Sequence, residues 1–244
     1  MKKLVILIPC FNEERGLLKV LPQIPYERLS AVGYETAVIV IDNKSTDRTN
    51  EVGRKNGAQV IYEAKKGKGY AIRTGFQSIM RDTDIVVMLD GDGTYKASEI
   101  PRLIEPIDSY FCDVVVGSRL GGKSLKNSFK TQNRVANWFY TFLVRTAYKA
   151  NITDVLSGFF AWRASVITEM EPFLESDGFS IEMEMITKMK KLGFSMYSVP
   201  ITYDERIGDT KLRSVSDGIK ILISFFKYLS WSPTRGKIGI AFNR

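Results

Sequence analysis

Two aspartates separated by one glycine follow directly on a short apolar segment. Residues Ile85 to Leu89 are apolar and rich in β-branched side chains, a pattern typical of a short strand that is buried on both faces. Asp90 and Asp92 come next, and Gly91 between them lets the backbone turn and approach a ligand. Two carboxylates at this spacing suit Mg²⁺ or Mn²⁺ that already carries phosphate oxygens. The pair therefore predicts a metal–phosphate site, with an ordinary Asp-Gly turn as the alternative.

A basic, glycine-containing segment precedes a predicted helix. Residues 65–69 read K-K-G-K-G, and the pattern of residues 70–80 predicts a helix. The amino terminus of a helix offers free N–H groups and the positive end of its dipole to an anion, and lysines there would strengthen a phosphate site. The segment lacks the spacing of a P-loop, and a solvated basic turn is an equally good interpretation.

The elements that position these groups alternate between strand and helix. Apolar strand patterns at residues 4–8, 37–41, 60–61, 85–89 and 113–116 are separated by helical patterns. This alternation predicts an α/β fold with a mostly parallel sheet flanked by helices.

Acidic residues recur where the predicted strands end. Glu13 follows the first strand, Asp42 ends the second, and Asp90 and Asp92 follow a later one. Charged groups are rarely buried unpaired, so the repetition is unlike core filling. It favours a cleft for a nucleotide and a metal at the carboxyl edge of the sheet.

The second half of the chain is less regular. Helices are predicted at 133–150 and 181–192, a strand or loop at 154–163, and a strand at 194–203. Residues 215–231 form an apolar helix, shorter than the ~20 apolar residues that span a bilayer. The pattern fits a helix lying in a membrane interface, with Lys220, Lys227, Tyr228 and Trp231 among the headgroups, and equally a helix packed on the domain or on a second subunit.

The amino-acid composition excludes several kinds of catalytic and metal site. The chain has 244 residues, no histidine, two cysteines and a net charge of +8. The absence of histidine excludes Ser-His and Cys-His nucleophiles and histidine-ligated metals, and two cysteines form no disulfide framework, which favours a reducing, cytoplasmic setting. The positive charge favours an anionic partner. Lysines and arginines are scattered and not clustered with aromatic residues, so a nucleic-acid-binding module ranks last.

Nine motifs occur in the order typical of one enzyme family. They are I-P-C-F-N-E-E at 8–14, I-D-N-K-S-T-D-R-T at 41–49, G-K-G at 67–69, L-D-G-D-G-T at 89–94, G-S-R at 117–119, N-R-V-A-N at 133–137, D-V-L-S-G-F-F-A-W-R at 154–163, F-S-I-E-M-E at 179–184 and R-I-G-D-T-K-L at 206–212. Their order and number make the chain resemble glycosyltransferase family 2, the GT-A-fold enzymes, and within it the dolichyl-phosphate sugar synthases.

The resemblance implies a role for particular residues. For nucleotide-sugar binding they are Pro9, Cys10, Asn12, Glu13, Asp42, Lys68, Asp90 and Gly91. For the metal they are Asp90, Asp92 and Thr94, and for the acceptor phosphate Arg119, Arg134, Ser157, Arg163, Arg206 and Lys211. Asp90, Asp92, Arg119 and Lys211 are the expected catalytic residues. Two departures are Asn43, where the family usually has a second aspartate, and Gly93-Thr94, where mannose-transferring members commonly have Leu-Gln.

The implied enzyme is an inverting, metal-dependent hexosyltransferase. It would move a sugar from a nucleotide-sugar, a UDP-sugar in preference to GDP-mannose, to a polyprenyl or dolichyl phosphate at the cytoplasmic face of a membrane, as in protein glycosylation. We expect a catalytic domain over 1–212, with a nucleotide half (1–118) and an acceptor half (119–212), followed by a helix and basic tail over 213–244.

Two other enzymes remain as alternatives. One is a family member that acts on a sugar hydroxyl with Glu182 or Glu184 as base, and the other is a nucleotidyltransferase. The nucleotidyltransferase is disfavoured because the glycine-rich start that such enzymes use is absent after the first strand.

Overall fold

Seven strands form one mixed sheet in the order β3-β2-β1-β4-β6-β5-β7 in this computed structural model, which describes residues 1–125, 128–211 and 214–233. Only β6 runs against its neighbours, and every other pairing is parallel. The predicted α/β, mostly parallel architecture is therefore confirmed. The strands are β1 (Lys2–Cys10), β2 (Tyr34–Asp42), β3 (Gln59–Tyr62), β4 (Ile85–Met88), β5 (Val114–Ser124), β6 (Phe160–Arg163) and β7 (Met196–Tyr203).

Helices cover both faces of the sheet, so each face has its own apolar core. One core receives side chains from α4 and α6 to α9, and the other receives side chains from α1, α2 and α5. The helices within the described residues are α1 (Glu14–Val20), α2 (Tyr26–Ala31), α3 (Thr49–Lys55), α4 (Lys68–Gln77), α5 (Ile100–Asp108), α6 (Thr131–Tyr148), α7 (Ala164–Met170), α8 (Ile181–Lys191) and α9 (Ser214–Leu229). The central strands read as continuous apolar runs because both of their faces are buried.

The strand register brings the acidic strand ends to one edge of the sheet. Cys10 lies beside Asp42, and Leu7 lies beside Met88, two residues before Asp90. Parallel strands have their carboxyl ends at the same edge, where α/β proteins bind ligands. The strand ends that were expected to form the cleft therefore lie together at one edge of the sheet.

The antiparallel strand β6 takes Arg163 to the opposite edge. Arg163 pairs with Ile85, the first residue of β4, and its guanidinium lies 4.6 Å from the ring centroid of Tyr110 and 3.7 Å from Asp113. Because β6 runs antiparallel, Arg163 lies beside the start of β4, at the edge of the sheet opposite to Asp90 and Asp92. Its expected role at the acceptor phosphate stays a prediction that this position does not favour.

Of the element boundaries that differ from the sequence prediction, two affect the site. Helix α4 begins at Lys68 instead of residue 70, after Gly67, whose φ of 151° is one that glycine adopts readily. Strand β5 continues beyond residue 116 to Ser124, because it pairs with β7 on both sides of an irregularity after Ser118. The first difference makes Lys68 the first residue of a helix.

Helix α9 packs onto the domain through one face. Ile221 and Phe225 belong to the core, and the Tyr148 hydroxyl donates to the Phe225 carbonyl at 3.1 Å. In the described part of the chain no helix has the length and apolarity needed to cross a membrane. The predicted boundary at 212/213 and the basic tail, apart from its first two residues 232–233, lie outside the described residues.

A buried lysine joins α8 to α9. Lys188 pairs with Glu184 one turn earlier, and its ammonium lies 4.5 Å from the ring centroid of Tyr228 and 5.3 Å from that of Trp231. Both charged groups of the pair are buried, so each depends on the other to offset its lost hydration.

Replacing Lys188 should therefore destabilise the fold strongly. We expect Lys188→Ala to lower the free energy of unfolding by about 3–5 kcal/mol, because it leaves the Glu184 carboxylate buried without its cation. Lys190→Ala is the matched control, since Lys190 has no ion-pair partner among the described residues. Urea unfolding of both variants measures the free energy of unfolding. A loss of stability for Lys188→Ala no larger than that for Lys190→Ala would contradict the prediction.

Candidate active site

Asp90 is paired with a lysine that also contacts a buried glutamate. Lys68 Nζ lies 2.8 Å from Asp90 Oδ1 and 2.7 Å from Glu182 Oε1. Burial opposes the charge on Lys68, but the two carboxylates outweigh it and raise the pKa of the ammonium above its ordinary value. Burial likewise raises the pKa of Glu182, with Lys68 opposing the shift. Lys68 therefore stays charged and holds Asp90 in place.

Asp92 is paired with an arginine that also contacts a second glutamate. Arg206 Nη1 donates to Asp92 Oδ2 at 2.6 Å, and Nη2 of the same guanidinium donates to Glu13 Oε1. Burial raises the pKa of Glu13 to about 7, although Arg206 opposes the rise. Arg206 belongs to the loop after β7, so this loop is tied to the carboxyl ends of β1 and β4.

Thr94 is directed at Asp92. Its hydroxyl donates to Asp92 Oδ1 at 2.6 Å, its backbone N–H donates to the same oxygen at 3.0 Å, and its side chain is buried. This arrangement favours an orienting role for Thr94 over its expected role as a metal ligand.

The two aspartates fit a metal that arrives with a phosphorylated ligand. Among the described residues no cluster of three or more acidic, histidine or cysteine side chains could hold a metal by itself. Mg²⁺ needs only one or two protein carboxylates when phosphate oxygens and water complete its coordination. Asp90 and Asp92 supply that donor set, at the strand end predicted from the sequence.

Glycines allow backbone to lie against the site. A Cβ added at Gly158 would lie 2.3 Å from Asp90 Oδ2, and one added at Gly69 would lie 2.1 Å from the Ser176 carbonyl oxygen. Asp90 therefore packs directly on the backbone of the loop before β6, and the start of α4 packs on the loop before α8.

One cavity of about 590 Å³ opens over the two aspartates. Nine of the residues predicted for the site line it, namely Pro9, Cys10, Glu13, Lys68, Asp90, Gly91, Asp92, Arg206 and Lys211. The resemblance assigned no role to the other nine lining residues, which are Phe11, Asn43, Lys66, Gly67, Ala71, Phe179, Ser216, Asp217 and Lys220. The volume is in the range of small-molecule sites.

Two predicted nucleotide residues instead order the loop after β2. Asn12 Oδ1 accepts the Thr46 N–H at 2.7 Å, and Asp42 Oδ1 accepts the Ser45 N–H at 2.9 Å. Neither side chain lines the cavity, whereas Asn43 does.

Asn43 links the first two motifs to the basic segment. Its Oδ1 accepts the Gly67 N–H and its Nδ2 donates to the Lys65 carbonyl, each at 2.7 Å. An aspartate at this position could accept one of these bonds but could not donate the other.

Arg119 is committed to an internal ion pair. Its Nε donates to Asp154 Oδ2 and its Nη2 to Asp154 Oδ1, both at 2.8 Å, while Phe129 and Tyr203 cover the guanidinium. Neither Arg119 nor Asp154 lines the cavity. The expected role of Arg119 at the acceptor phosphate therefore stays a prediction, and this buried pairing favours a structural role.

Ser157 and Arg134 also differ from their expected position. The Ser157 hydroxyl is buried and donates to the Gly117 carbonyl at 2.6 Å. Arg134 is exposed in the first turn of α6, outside the cavity lining. Ser157 and Arg119 thus hold the 154–158 loop, and of the predicted acceptor residues only Arg206 and Lys211 line the cavity.

The two glutamates proposed as alternative bases are both engaged. Glu184 is fully buried and accepts the Glu175 N–H at 3.0 Å and the Ser176 N–H at 2.8 Å, besides pairing with Lys188. Glu182 is held by Lys68, and neither glutamate lines the cavity.

A model of the family described as "Glycosyl transferase family 2" matches residues 5–170. The chain is 31% identical to Glycosyltransferase AglJ of Haloferax volcanii, over 91% of this chain and 70% of that protein. It is 28% identical to the undecaprenyl-phosphate mannosyltransferase of Micrococcus luteus, over 98% and 100% of the two chains. It is also 31% identical to the dolichyl-phosphate hexose transferase of Haloferax volcanii, over 92% of each chain.

Among solved structures, the chain resembles glucosyl-3-phosphoglycerate synthase from Mycobacterium tuberculosis in complex with Mn²⁺, UDP and glucosyl-3-phosphoglycerate. The TM-score is 0.70 at 20% identity, over 96% of this chain and 82% of that one. The likeness shows a GT-A-like fold.

The contact between Gly158 and Asp90 generates a prediction. We expect Gly158→Ala to weaken Mn²⁺ binding in the presence of UDP by about 10- to 100-fold, because the new methyl group must displace the Asp90 carboxylate. Gly178→Ala is the control, since an added Cβ there has no atom within 4 Å. A Mn²⁺ titration followed by electron paramagnetic resonance measures the affinity, and equal affinities for the two variants would contradict the prediction.

Proposed function

The chain belongs to glycosyltransferase family 2, and we propose that it transfers a sugar from a nucleotide-sugar to a polyprenyl or dolichyl phosphate. The observation that carries this proposal is the cavity itself, where two aspartates at a strand end share one space with five cationic side chains. These cations are Lys66, Lys68, Arg206, Lys211 and Lys220. Such a site suits a reaction in which both substrates carry phosphate.

The donor is proposed to lie along the carboxyl ends of β1, β2 and β4. Its diphosphate would lie at Asp90, Asp92 and Lys68, and its nucleoside near the remaining lining residues of this edge, Pro9, Cys10, Phe11, Glu13 and Asn43. A UDP-sugar is favoured over GDP-mannose because Gly93-Thr94 departs from the Leu-Gln of the mannose-transferring members. The structural neighbour, with its bound UDP and Mn²⁺, agrees with this preference.

Asp90 and Asp92 would hold a divalent metal together with the donor diphosphate. A Mg²⁺ or Mn²⁺ ion bound there supplies positive charge to the leaving nucleoside diphosphate. Lys68 adds a fixed positive charge beside the same group, already oriented by Glu182.

The acceptor phosphate is proposed to attack the anomeric carbon with inversion. An oxygen of the phosphate forms the new C–O bond while the bond from the sugar to the nucleoside diphosphate breaks. Because the second pKa of a phosphate monoester is near 6, this oxygen is largely ionised at neutral pH and needs no strong base. A hydroxyl acceptor would need one, and Glu182 and Glu184 are both held by lysines.

The named relatives support a lipid-linked acceptor. Two of them are described as transferases of undecaprenyl phosphate and dolichyl phosphate. Helix α9 exposes Ile219, Ile223 and Phe226 on the face opposite to its packed side, which suits peripheral contact with the cytoplasmic face of a membrane. We accordingly propose residues 1–212 as the catalytic domain and 213–244 as its membrane-facing extension.

The proposed reaction can be tested with labelled donors. A panel of UDP- and GDP-sugars is incubated with a polyprenyl phosphate, with Mg²⁺ or with excess chelator, and lipid-linked product is counted. We expect product from a UDP-sugar that depends on the metal, and we expect Asp92→Asn to lose most activity while the fold persists. Transfer to a sugar hydroxyl in place of the lipid phosphate, or an unchanged rate in chelator, would contradict the proposal.

The position of Arg163 at the opposite edge of the sheet gives a matched pair of variants. Lys211→Ala should lower acceptor-dependent kcat/KM by about tenfold, because it removes a charge-assisted contact to the acceptor phosphate. Arg163→Ala removes an equal charge at the opposite edge and should leave kcat/KM unchanged. Steady-state kinetics with both substrates varied measures kcat/KM for the two variants. Equal effects of the two substitutions would contradict this acceptor site.

A further inference from the structure

The cations that line the cavity divide into two groups. Lys68 and Arg206 are each held between two carboxylates. For Lys66, Lys211 and Lys220, no carboxylate of the described chain lies within salt-bridge distance. These three lysines are therefore available to a ligand without first breaking an ion pair.

Lys220 differs from the other two because it comes from helix α9. Lys66 and Lys211 lie near one ring, with their ammonium groups 4.2 and 5.8 Å from the Phe11 centroid. Lys220 lines the cavity together with Ser216, which lies one turn earlier on the same helix. The family model ends at residue 170, so it assigns nothing to α9.

The row of α9 next to Lys220 is apolar and exposed. Ile219, Ile223 and Phe226 are 56%, 60% and 58% exposed. Residues three or four apart are neighbours on a helix surface, so Ile223 borders Lys220, and Ile219 and Ile223 form one row. Lys220, which lines the cavity, therefore borders an exposed apolar row on the surface of α9.

We propose that Lys220 binds the phosphate of the acceptor and that the row Ile219–Ile223–Phe226 carries the first part of its lipid chain out of the cavity. This inference rests on the proposed function, since it names the lipid-linked acceptor as the occupant. A lipid phosphate needs a cation and an apolar surface side by side, and exposed apolar side chains gain free energy when a hydrocarbon chain covers them. A nucleotide-sugar has no group that would use the apolar row.

Lys220 can be tested with a short-chain isoprenyl phosphate, which needs no membrane. We expect Lys220→Ala to raise the KM for this acceptor about tenfold and to leave the KM for the donor unchanged. Lys220→Arg should restore most of the loss, because the guanidinium also binds phosphate. Lys227→Ala is the matched control, since Lys227 lies two turns later on α9 and pairs with Glu175 at 2.9 Å, outside the cavity lining.

The apolar row is tested by chain length. Ile223→Ser should raise the KM for a long-chain isoprenyl phosphate, presented in mixed micelles, and have little effect on the short-chain acceptor. This dependence on chain length separates lipid binding from a purely structural role, because a damaged fold would impair transfer to both acceptors alike. Urea unfolding checks that both variants retain the stability of the wild-type chain.

The outcomes separate this inference from the proposed function. If the wild-type chain transfers sugar to neither isoprenyl phosphate, the proposed function fails. If it transfers sugar but Lys220→Ala behaves like Lys227→Ala, the role of Lys220 is overturned and the function stands. A rise in the donor KM would assign Lys220 to the nucleotide-sugar, which also overturns the inference.

Discussion

The structure depends on two carboxylate–cation–carboxylate bridges at the carboxyl edge of the sheet. Glu182, Lys68 and Asp90 form one, and Asp92, Arg206 and Glu13 form the other. Carboxylates gathered at the end of an apolar strand repel one another and lose hydration, and each is retained only with a cation nearby. The cations come from the start of α4 and the loop after β7, so the bridges join segments that are distant in the chain.

These bridges also place charge where the proposed reaction needs it. In the bridges each cation faces two carboxylates, and Lys68 and Arg206 are held at fixed positions before any substrate arrives. Asp90 and Asp92 would hold a metal that is bound together with a diphosphate, and Lys68 and Arg206 would then lie beside this new anion without having to be ordered from solvent. Preorganisation of this kind is the main means by which a site stabilises developing charge. The structural ion pairs and the proposed catalytic charges are therefore the same groups.

What the sequence could predict depended on whether the information was local. Asp90 and Asp92 were predictable because a short apolar run and two glycines define a strand end by themselves. The direction of β6 was not, because its three apolar residues, 160–162, have the same pattern in either direction, so the edge at which Arg163 lies could not be predicted from the motif. The partner of Arg119 could not be predicted for a similar reason, since an arginine in a motif has the same sequence pattern whether it binds a ligand or a buried aspartate. Lys220 lines the cavity only because α9 returns to pack on α8, a long-range contact without a local pattern.

The loop at 154–158 shows how a motif can matter without touching substrate. Asp154 holds Arg119 and also accepts a hydrogen bond from Asn137 of α6 at 2.7 Å. Ser157 ties the loop to β5, and Gly158 donates its N–H to the Tyr95 hydroxyl at 2.7 Å. Since Asp90 packs directly on Gly158, these contacts fix the surface against which the aspartate rests. Arg119 and Ser157, whose expected role at the acceptor phosphate stays a prediction, hold the backbone against which a proposed metal ligand packs.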